Sequence, residues 1–240
     1  MMQQMLLDLG PPPAPTFDNF VAGRSAAALA ALRAVVAGQG ERSLHLWGEP
    51  GCGRSHLLRA LGAHSDARYM ACGSEGVPDF DETVRIWCVD DVELCDADNQ
   101  IRLFNLINAS RARPGGTIVT SASAAPLHLA LPAEREDLRT RLGWGPVYRL
   151  ELLTDPEKQA ALEQHATGRG LVLGVDVGRY LINHFSRDMP SLMQLVDTLD
   201  RYALKQHRQI TLPLIREYEQ QERIEREKRL QGRLEFGAQA

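Results

Sequence analysis

The chain has 240 residues, 44% of them hydrophobic, enough to bury the core of one domain or of one domain with a small companion. Its formal net charge of -4 argues against a protein built to coat nucleic acid, and no apolar run is long enough to span a membrane. The N-terminus lacks the basic start and apolar core of a signal peptide, so a cytoplasmic protein is expected. Cys52, Cys72, Cys88 and Cys95 show no C-x-x-C spacing and the 7 histidines are scattered, so neither a zinc site nor a disulfide framework is expected and the thiols read as reduced.

The first residues, Met1 to Leu9, include Gln4, Met5, Leu6, Leu7, Asp8 and Leu9 and are cut off from the remainder of the chain by Gly10, Pro11, Pro12, Pro13 and Pro15. A proline-rich spacer is extended and stiff, so it holds such a peptide away from a domain and presents it. From the residues alone, a docking peptide and a frayed start stand level. Next, Phe17 and Phe20 read as core, and an alanine- and leucine-rich helix is expected from Ser25 to Ala37.

Ser43 to Trp47 alternates polar and apolar residues and reads as a strand. It runs into Gly48, Glu49, Pro50, Gly51, Cys52, Gly53, Arg54 and Ser55, followed by His56 and a helical pattern through Leu57, Leu58 and Leu61. This is the glycine-rich phosphate loop, with Arg54 where lysine is usual. Glycines let the backbone fold tightly enough for its N–H groups to surround phosphate oxygens, and the helix start completes the anion site. Arg54 keeps the charge but widens and flattens the head group, which makes nucleotide binding a safer expectation than fast hydrolysis. Cys52 either gains acidity at the helix start or simply fills a free position.

Further strands are expected at Ala67 to Ala71, Val84 to Val89, Gly116 to Thr120 and Val147 to Leu150, with helices between most of them, including Gln100 to Ala112. Strands alternating with helices make a parallel five-stranded sheet covered on both faces, an α/β fold whose ligands sit at the carboxyl ends of the strands. There the apolar run Ile86 to Val89 ends in Asp90 and Asp91. Two acids at a strand tip fit a shared cation, with Asp90 and Ser55 on magnesium brought by the nucleotide and Asp91 orienting a water; a solvated turn is the bland alternative. Glu93, Asp96 and Asp98 read as a solvated loop. Thr120, Ser121 and Ser123 offer hydroxyls toward a terminal phosphate.

Glu136 to Trp144 places Arg139 and Arg141 beside a glycine stop. By residue type, surface ion pairing is the better reading of both. After Leu153 the pattern is wholly helical, at Pro156 to Thr167, Asp176 to Phe185, Pro190 to Gln206 and from Leu212, with Asp188 a cap and Pro190 in a first turn. Glu222, Arg223, Glu225, Arg226, Glu227, Lys228 and Arg229 mix signs at helical spacing, as a solvated helix does.

Taken together these stretches resemble the DnaA branch of the AAA+ ATPases, and within it the regulatory-inactivator group. Thr16 to Val21 is similar to the segment that opens the DnaA nucleotide domain, Gly53 to Leu58 to the phosphate loop of this branch, and Asp137 to Leu142, with Trp144, Gly145 and Tyr148, to the arginine-finger box. The resemblance implies a clamp-binding peptide and linker at 1–15, an AAA+ α/β nucleotide-binding domain at 16–152, a small all-helical lid at 153–215 and a charged tail at 216–240. It implies bound ADP or ATP with Mg2+. It also implies that Gln4, Met5, Leu7 and Leu9 dock on the DNA polymerase sliding clamp (its beta subunit), and that Arg141 is an arginine finger acting in trans on DnaA. A homo-oligomer stays open. Where DnaA carries a C-terminal DNA-reading domain, only the charged tail is expected here, and so little direct DNA binding. Ala122 and Pro190 stand where the family has its two phosphate sensors, which implies weak turnover of the chain's own nucleotide. An autonomous ATPase or helicase-loader-like protein is the competing reading.

Overall fold

Ile86, Trp87, Cys88 and Val89 are each 0% exposed, but alternation divides them between two cores. Ile86 and Cys88 pack with Leu44, Leu46 and Val119, whereas Trp87 and Val89 pack with Ile118 and Ala122. A strand buried on both faces belongs inside a parallel sheet with helices on each side. The computed structural model, which describes residues 14–74, 76–132, 135–185 and 188–237 with side chains as far as 224, contains that sheet.

Its strands are β1 (Ser43–Trp47), β2 (Ala67–Ala71), β3 (Ile86–Asp90), β4 (Thr117–Ala122) and β5 (Val147–Arg149), in the order β2-β3-β4-β1-β5. Every pairing is parallel. All five carboxyl ends therefore lie along one edge, where β1, β3 and β4 deliver Gly48, Asp91 and Ser123. Helices α1 (Ala26–Val36) and α2 (Arg54–Gly62) cover one face through Leu29, Leu32, Leu57, Leu58 and Leu61; α3 (Ala97–Ala112) and α4 (Glu136–Leu142) cover the other through Leu103, Leu106, Leu138 and Leu142. Each fully buried leucine contributes roughly 1.5–3 kcal/mol relative to an exposed one. The two aliphatic layers together hold the strand tips in place.

The elements expected from sequence are present, with shifted ends. Ser25 belongs to a 3-10 turn ahead of α1, where its hydroxyl accepts the Glu151 N–H at 3.1 Å. Helix α3 starts at Ala97 because Asp96 caps it, accepting the Asn99 N–H at 2.8 Å, so Asp96 is not a loop acid. Strand β4 runs two residues beyond Thr120, which places Ser121 and Ala122 inside the sheet.

The cysteine expectation is overturned. Cys72, just past β2, and Cys95, between Leu94 and α3, form a disulfide across a sequence separation of 23 with Cα atoms 4.7 Å apart. Spacing rules recognise short motifs; this pair is brought together only by the parallel pairing of β2 and β3. Cys52 and Cys88 are free and buried.

The chain divides between Leu153 and Thr154 into two compact units. The second is helical in its described part: α5 (Asp155–Gly168), α6 (Val175–His184), α7 (Met189–Lys205) and α8 (Leu212–Gly237). Thr154 and Glu157 form a reciprocal capping box at its start, with the Thr154 N–H donating to Glu157 at 2.7 Å. Asp188 caps α7 by accepting the Ser191 N–H at 2.9 Å, and Pro190 sits in that first turn, where it has no hydrogen bond to lose. Leu162, Leu181, Leu192, Leu199 and Leu214 are fully buried in this unit. No described helix is long and apolar enough to cross a membrane.

Candidate functional site

The phosphate loop is built by close approach. A Cβ on Gly48 would lie 2.4 Å from the Leu150 carbonyl oxygen, which leaves only glycine where β1 turns out of the sheet. Gly53 has φ 96 and its Cβ would lie 2.6 Å from the Phe20 ring. It is the N-cap of α2 and brings no side chain to the first-turn N–H groups, which stay available to an anion. Glu49, Pro50 and Gly51 are exposed and Cys52 is buried beneath them. Burial pushes the Cys52 thiol pKa up, which decides for the space-filling reading of that residue.

Two further contacts fix the loop to the start of the unit. His56 Nε2 lies 2.8 Å from the Thr16 carbonyl oxygen, so the ring N–H donates there, and burial keeps the imidazole pKa below its ordinary value. The Phe20 ring centroid is 5.5 Å from that of His56. The segment holds its own shape through Thr16 and Asn19, each donating its backbone N–H to the other's side chain, at 2.8 and 3.1 Å.

Opposite the loop stands the tip of β3. Asp90 is 1% exposed; one carboxylate oxygen accepts from the Ser121 hydroxyl and the other from the Tyr69 hydroxyl at 2.9 Å. Tyr69 in turn accepts from Arg59 Nε at 3.3 Å, and burial raises its pKa to about 12, so the phenol keeps its proton. Asp91 has left-handed backbone, φ 52, and its N–H donates to Ser121 Oγ at 3.1 Å. Burial, and then the Asp90 charge, raise the Asp91 pKa.

Arg54 turns toward this tip, 3.3 Å from Asp91 and 3.8 Å from Glu93, with 11% of its side chain exposed. Glu93 also accepts the Ser123 N–H at 2.7 Å. It is therefore a partner of the phosphate-loop arginine and not a solvated loop acid.

These placements bear on the magnesium expectation. Asp90 is a buried hydrogen-bond acceptor with both oxygens engaged, Asp91 faces Arg54, and Ser55 is half-buried at the start of α2. Among the described residues no group of three His, Cys, Asp or Glu side chains is placed to hold a metal ion. Arg54 and Arg59 lie beside the acids at the tip and carry countercharge there. Ser121, expected to face a phosphate, is committed to Asp90 and Asp91, and Ala122 is 0% exposed.

His45 has no counterpart in the sequence reading. It is 0% exposed on β1, with Nδ1 2.7 Å from Thr120 Oγ1 and Nε2 buried without a hydrogen bond. Burial lowers its pKa to about 4. A polar residue inside an alternating strand was the available signal, and alternation alone assigned it to the surface. Tyr69, on β2, was missed for a similar reason: its role depends on reaching Asp90 on the neighbouring strand.

The two candidate arginines on α4 differ in what they touch. Arg139 is bonded to Glu136 and donates to the Leu129 and Leu131 carbonyls at 3.3 and 3.2 Å. Arg141 forms no ion pair or hydrogen bond among the described residues; its guanidinium carbon lies 3.7 Å from the Trp144 ring centroid and 5.1 Å from that of Phe104. Arg139 ties down its own fold, while Arg141 is held by ring faces. Gln4, Met5, Leu7 and Leu9 lie outside the described residues.

Comparison with known proteins bears on the fold and on the helical unit. The model described as "Hda, lid domain" matches residues 155–218. Among solved structures, AMPPCP-bound DnaA from Aquifex aeolicus is similar with a TM-score of 0.62 and 19% identity, covering 78% of this chain and 65% of that one. Domain III of DnaA from Thermotoga maritima gives 0.58 and 23%, covering 85% and 95%. A replication initiator DnaA bound to AMPPCP and single-stranded DNA gives 0.60 and 19%, covering 80% and 69%. At these identities the DnaA structures speak for the fold alone, and the lid match speaks for residues 155–218. A glycine-rich loop on a β2-β3-β4-β1-β5 parallel sheet with the fold of the DnaA structures is thus followed, at residues 155–218, by a segment that matches the Hda lid domain.

Proposed function

We propose that the chain is a negative regulator of replication initiation that stimulates hydrolysis of ATP bound to DnaA. In this reading it binds ADP or ATP at Gly48 to His56, docks on the DNA polymerase sliding clamp through Gln4, Met5, Leu7 and Leu9, and presents Arg141 to the nucleotide of the neighbouring DnaA. The observation that carries it is the contrast on α4, where Arg141 alone keeps its guanidinium out of ion pairs. A guanidinium delivered to a developing phosphate charge raises rates by roughly a thousandfold or more.

The engagement of Arg54 with Asp91 and Glu93 supports a nucleotide held for shape, since the loop cation is shared with acids. Magnesium, if it enters, arrives on the phosphates. A self-contained ATPase is the second reading, favoured by Asp91, whose side chain is 30% exposed beside the loop arginine.

Reconstitution separates the two. ATP hydrolysis by DnaA with DNA-loaded clamp is measured with this protein, with Arg141→Ala, and with a form lacking residues 1–9. The adaptor reading expects stimulation from the parent and its loss in both variants. Hydrolysis by the chain alone, unaffected by clamp or DnaA, overturns it in favour of the second reading.

A further inference from the structure

Trp144 is 36% exposed and belongs to neither core cluster of its unit, although it follows α4 by only two residues. An indole left about one third in water invites a reason beyond packing. Its ring contacts are cations: the Arg141 guanidinium carbon at 3.7 Å from the centroid and that of Arg111, from the last turn of α3, at 4.4 Å. Phe104, one face of α3 further back, adds a second ring 5.1 Å from Arg141.

From this geometry we infer that Trp144 is a positioning residue for Arg141: the indole holds the guanidinium by its flat face and so aims its N–H edge at an anionic group outside the fold. The inference rests on the reading of Arg141 given under Proposed function. Stacking and edge-on hydrogen bonding use different parts of a guanidinium, so a stacked arginine still offers in-plane donors to phosphate oxygens. The Arg141 Nε is buried without a hydrogen bond, which leaves the ring contacts as the restraint on the head group. An arginine restrained by an ion pair, as Arg139 is, would first have to give up its carboxylate. Arg111 adds a second positive charge on the same ring and makes the patch attractive to a polyphosphate before contact.

The test uses the full chain and three substitutions, Trp144→Phe, Trp144→Leu and Trp144→Ala, in the DnaA and clamp hydrolysis assay, with thermal melts of each. A second readout, free of DnaA, is the rate at which phenylglyoxal modifies Arg141, read by peptide mass spectrometry. Expected are near-parent stimulation for Trp144→Phe, and for Trp144→Leu and Trp144→Ala a maximal stimulated rate lower by about tenfold or more. The half-saturating concentration should stay within about twofold of the parent, because the loss is in orientation and not in docking. Arg141 modification should quicken in the Leu and Ala forms and not in the Phe form.

Leucine keeps an apolar side chain without the ring, so full stimulation by Trp144→Leu overturns the inference, as does unchanged Arg141 reactivity in all three. Should the parent itself fail to stimulate DnaA, the adaptor reading falls. The phenylglyoxal comparison then decides the positioning claim alone: faster modification of Arg141 in Leu and Ala supports it, and equal rates overturn it.

Discussion

Arg54 of the phosphate loop and Asp91 at the tip of β3 stand 3.3 Å apart, joining the two halves of the candidate nucleotide site through one guanidinium. That contact does not fully compensate Asp91, whose pKa is raised by burial first and by the neighbouring Asp90 charge second. An acid with a raised folded pKa contributes stability that is fully present below its unfolded pKa and is lost as pH rises through the folded value. Asp91→Asn is therefore expected to melt slightly above the parent at neutral pH, by less than about 1 kcal/mol because the side chain is partly exposed. The difference should vanish in acid near the ordinary carboxylate pKa. Melting curves from about pH 3 to about pH 8, the range where carboxylates and histidines titrate, check both sign and window.

His45 runs the other way. Its pKa falls from 6.5 to about 4 through burial. A base with a depressed folded pKa contributes stability that is present above 6.5 and lost as pH falls toward about 4. The shift corresponds to roughly 3 kcal/mol of acid sensitivity between those values. His45→Gln is expected to flatten that part of the stability profile, measured by urea unfolding at a series of pH values, even if it lowers stability at neutral pH.

Arg139 and Arg141 should part company under alanine substitution. Arg139→Ala leaves the Leu131 carbonyl without the Arg139 donor, while the Leu129 carbonyl keeps the Leu131 N–H at 2.8 Å, and is expected to cost about 1–3 kcal/mol of stability. Arg141→Ala removes no hydrogen bond and is expected to leave the melting temperature nearly unchanged while abolishing stimulation of DnaA. Paired thermal melts and hydrolysis assays read the contrast. Equal destabilisation by both would place Arg141 in the framework.

Gly53 combines φ 96 with a Cβ position 2.6 Å from Phe20. Gly53→Ala is expected to cost about 1 kcal/mol or more from backbone strain and to weaken ADP binding, measured by calorimetry. Adding Phe20→Ala removes the clash but not the backbone strain, so the double variant should recover only part of the affinity.

The Cys72 to Cys95 bond closes a loop over a sequence separation of 23 that contains β3 and both tip acids. Thiol titration of the denatured, unreduced protein is expected to count Cys52 and Cys88 alone. Reduction should lower stability by about 3 kcal/mol on the chain-entropy account.

The sheet was legible in the sequence because each strand carries its own signature. Ile86 to Val89 is a continuous apolar run, and Ser43 to Trp47 ends at the glycines that turn the chain out of β1. The glycine turn into α2 was legible for the same reason, since it lies in consecutive residues. What escaped were relations across strands: Tyr69 reaching Asp90, Glu93 reaching Arg54, Cys72 meeting Cys95. The buried His45 escaped because alternation marks which side chains point together and not whether the second face is also covered. Ser121 was placed at the right end of its strand but given the wrong neighbour, since only the β3 to β4 pairing shows that Asp90 is within its reach.

One consequence concerns force. The carbonyl of Thr16 is hooked by His56 on the first turn of α2, and the ring of Phe20 leans on Gly53. A pull on the chain ahead of Thr16 is met by the Asn19 amide on the Ala14 carbonyl at 3.0 Å and by the Thr16–Asn19 pair, and then by His56 and Phe20 beside the glycine turn. On the proposed function, mooring at the leading end and grip on a phosphate would be neighbouring points on the same mechanical line.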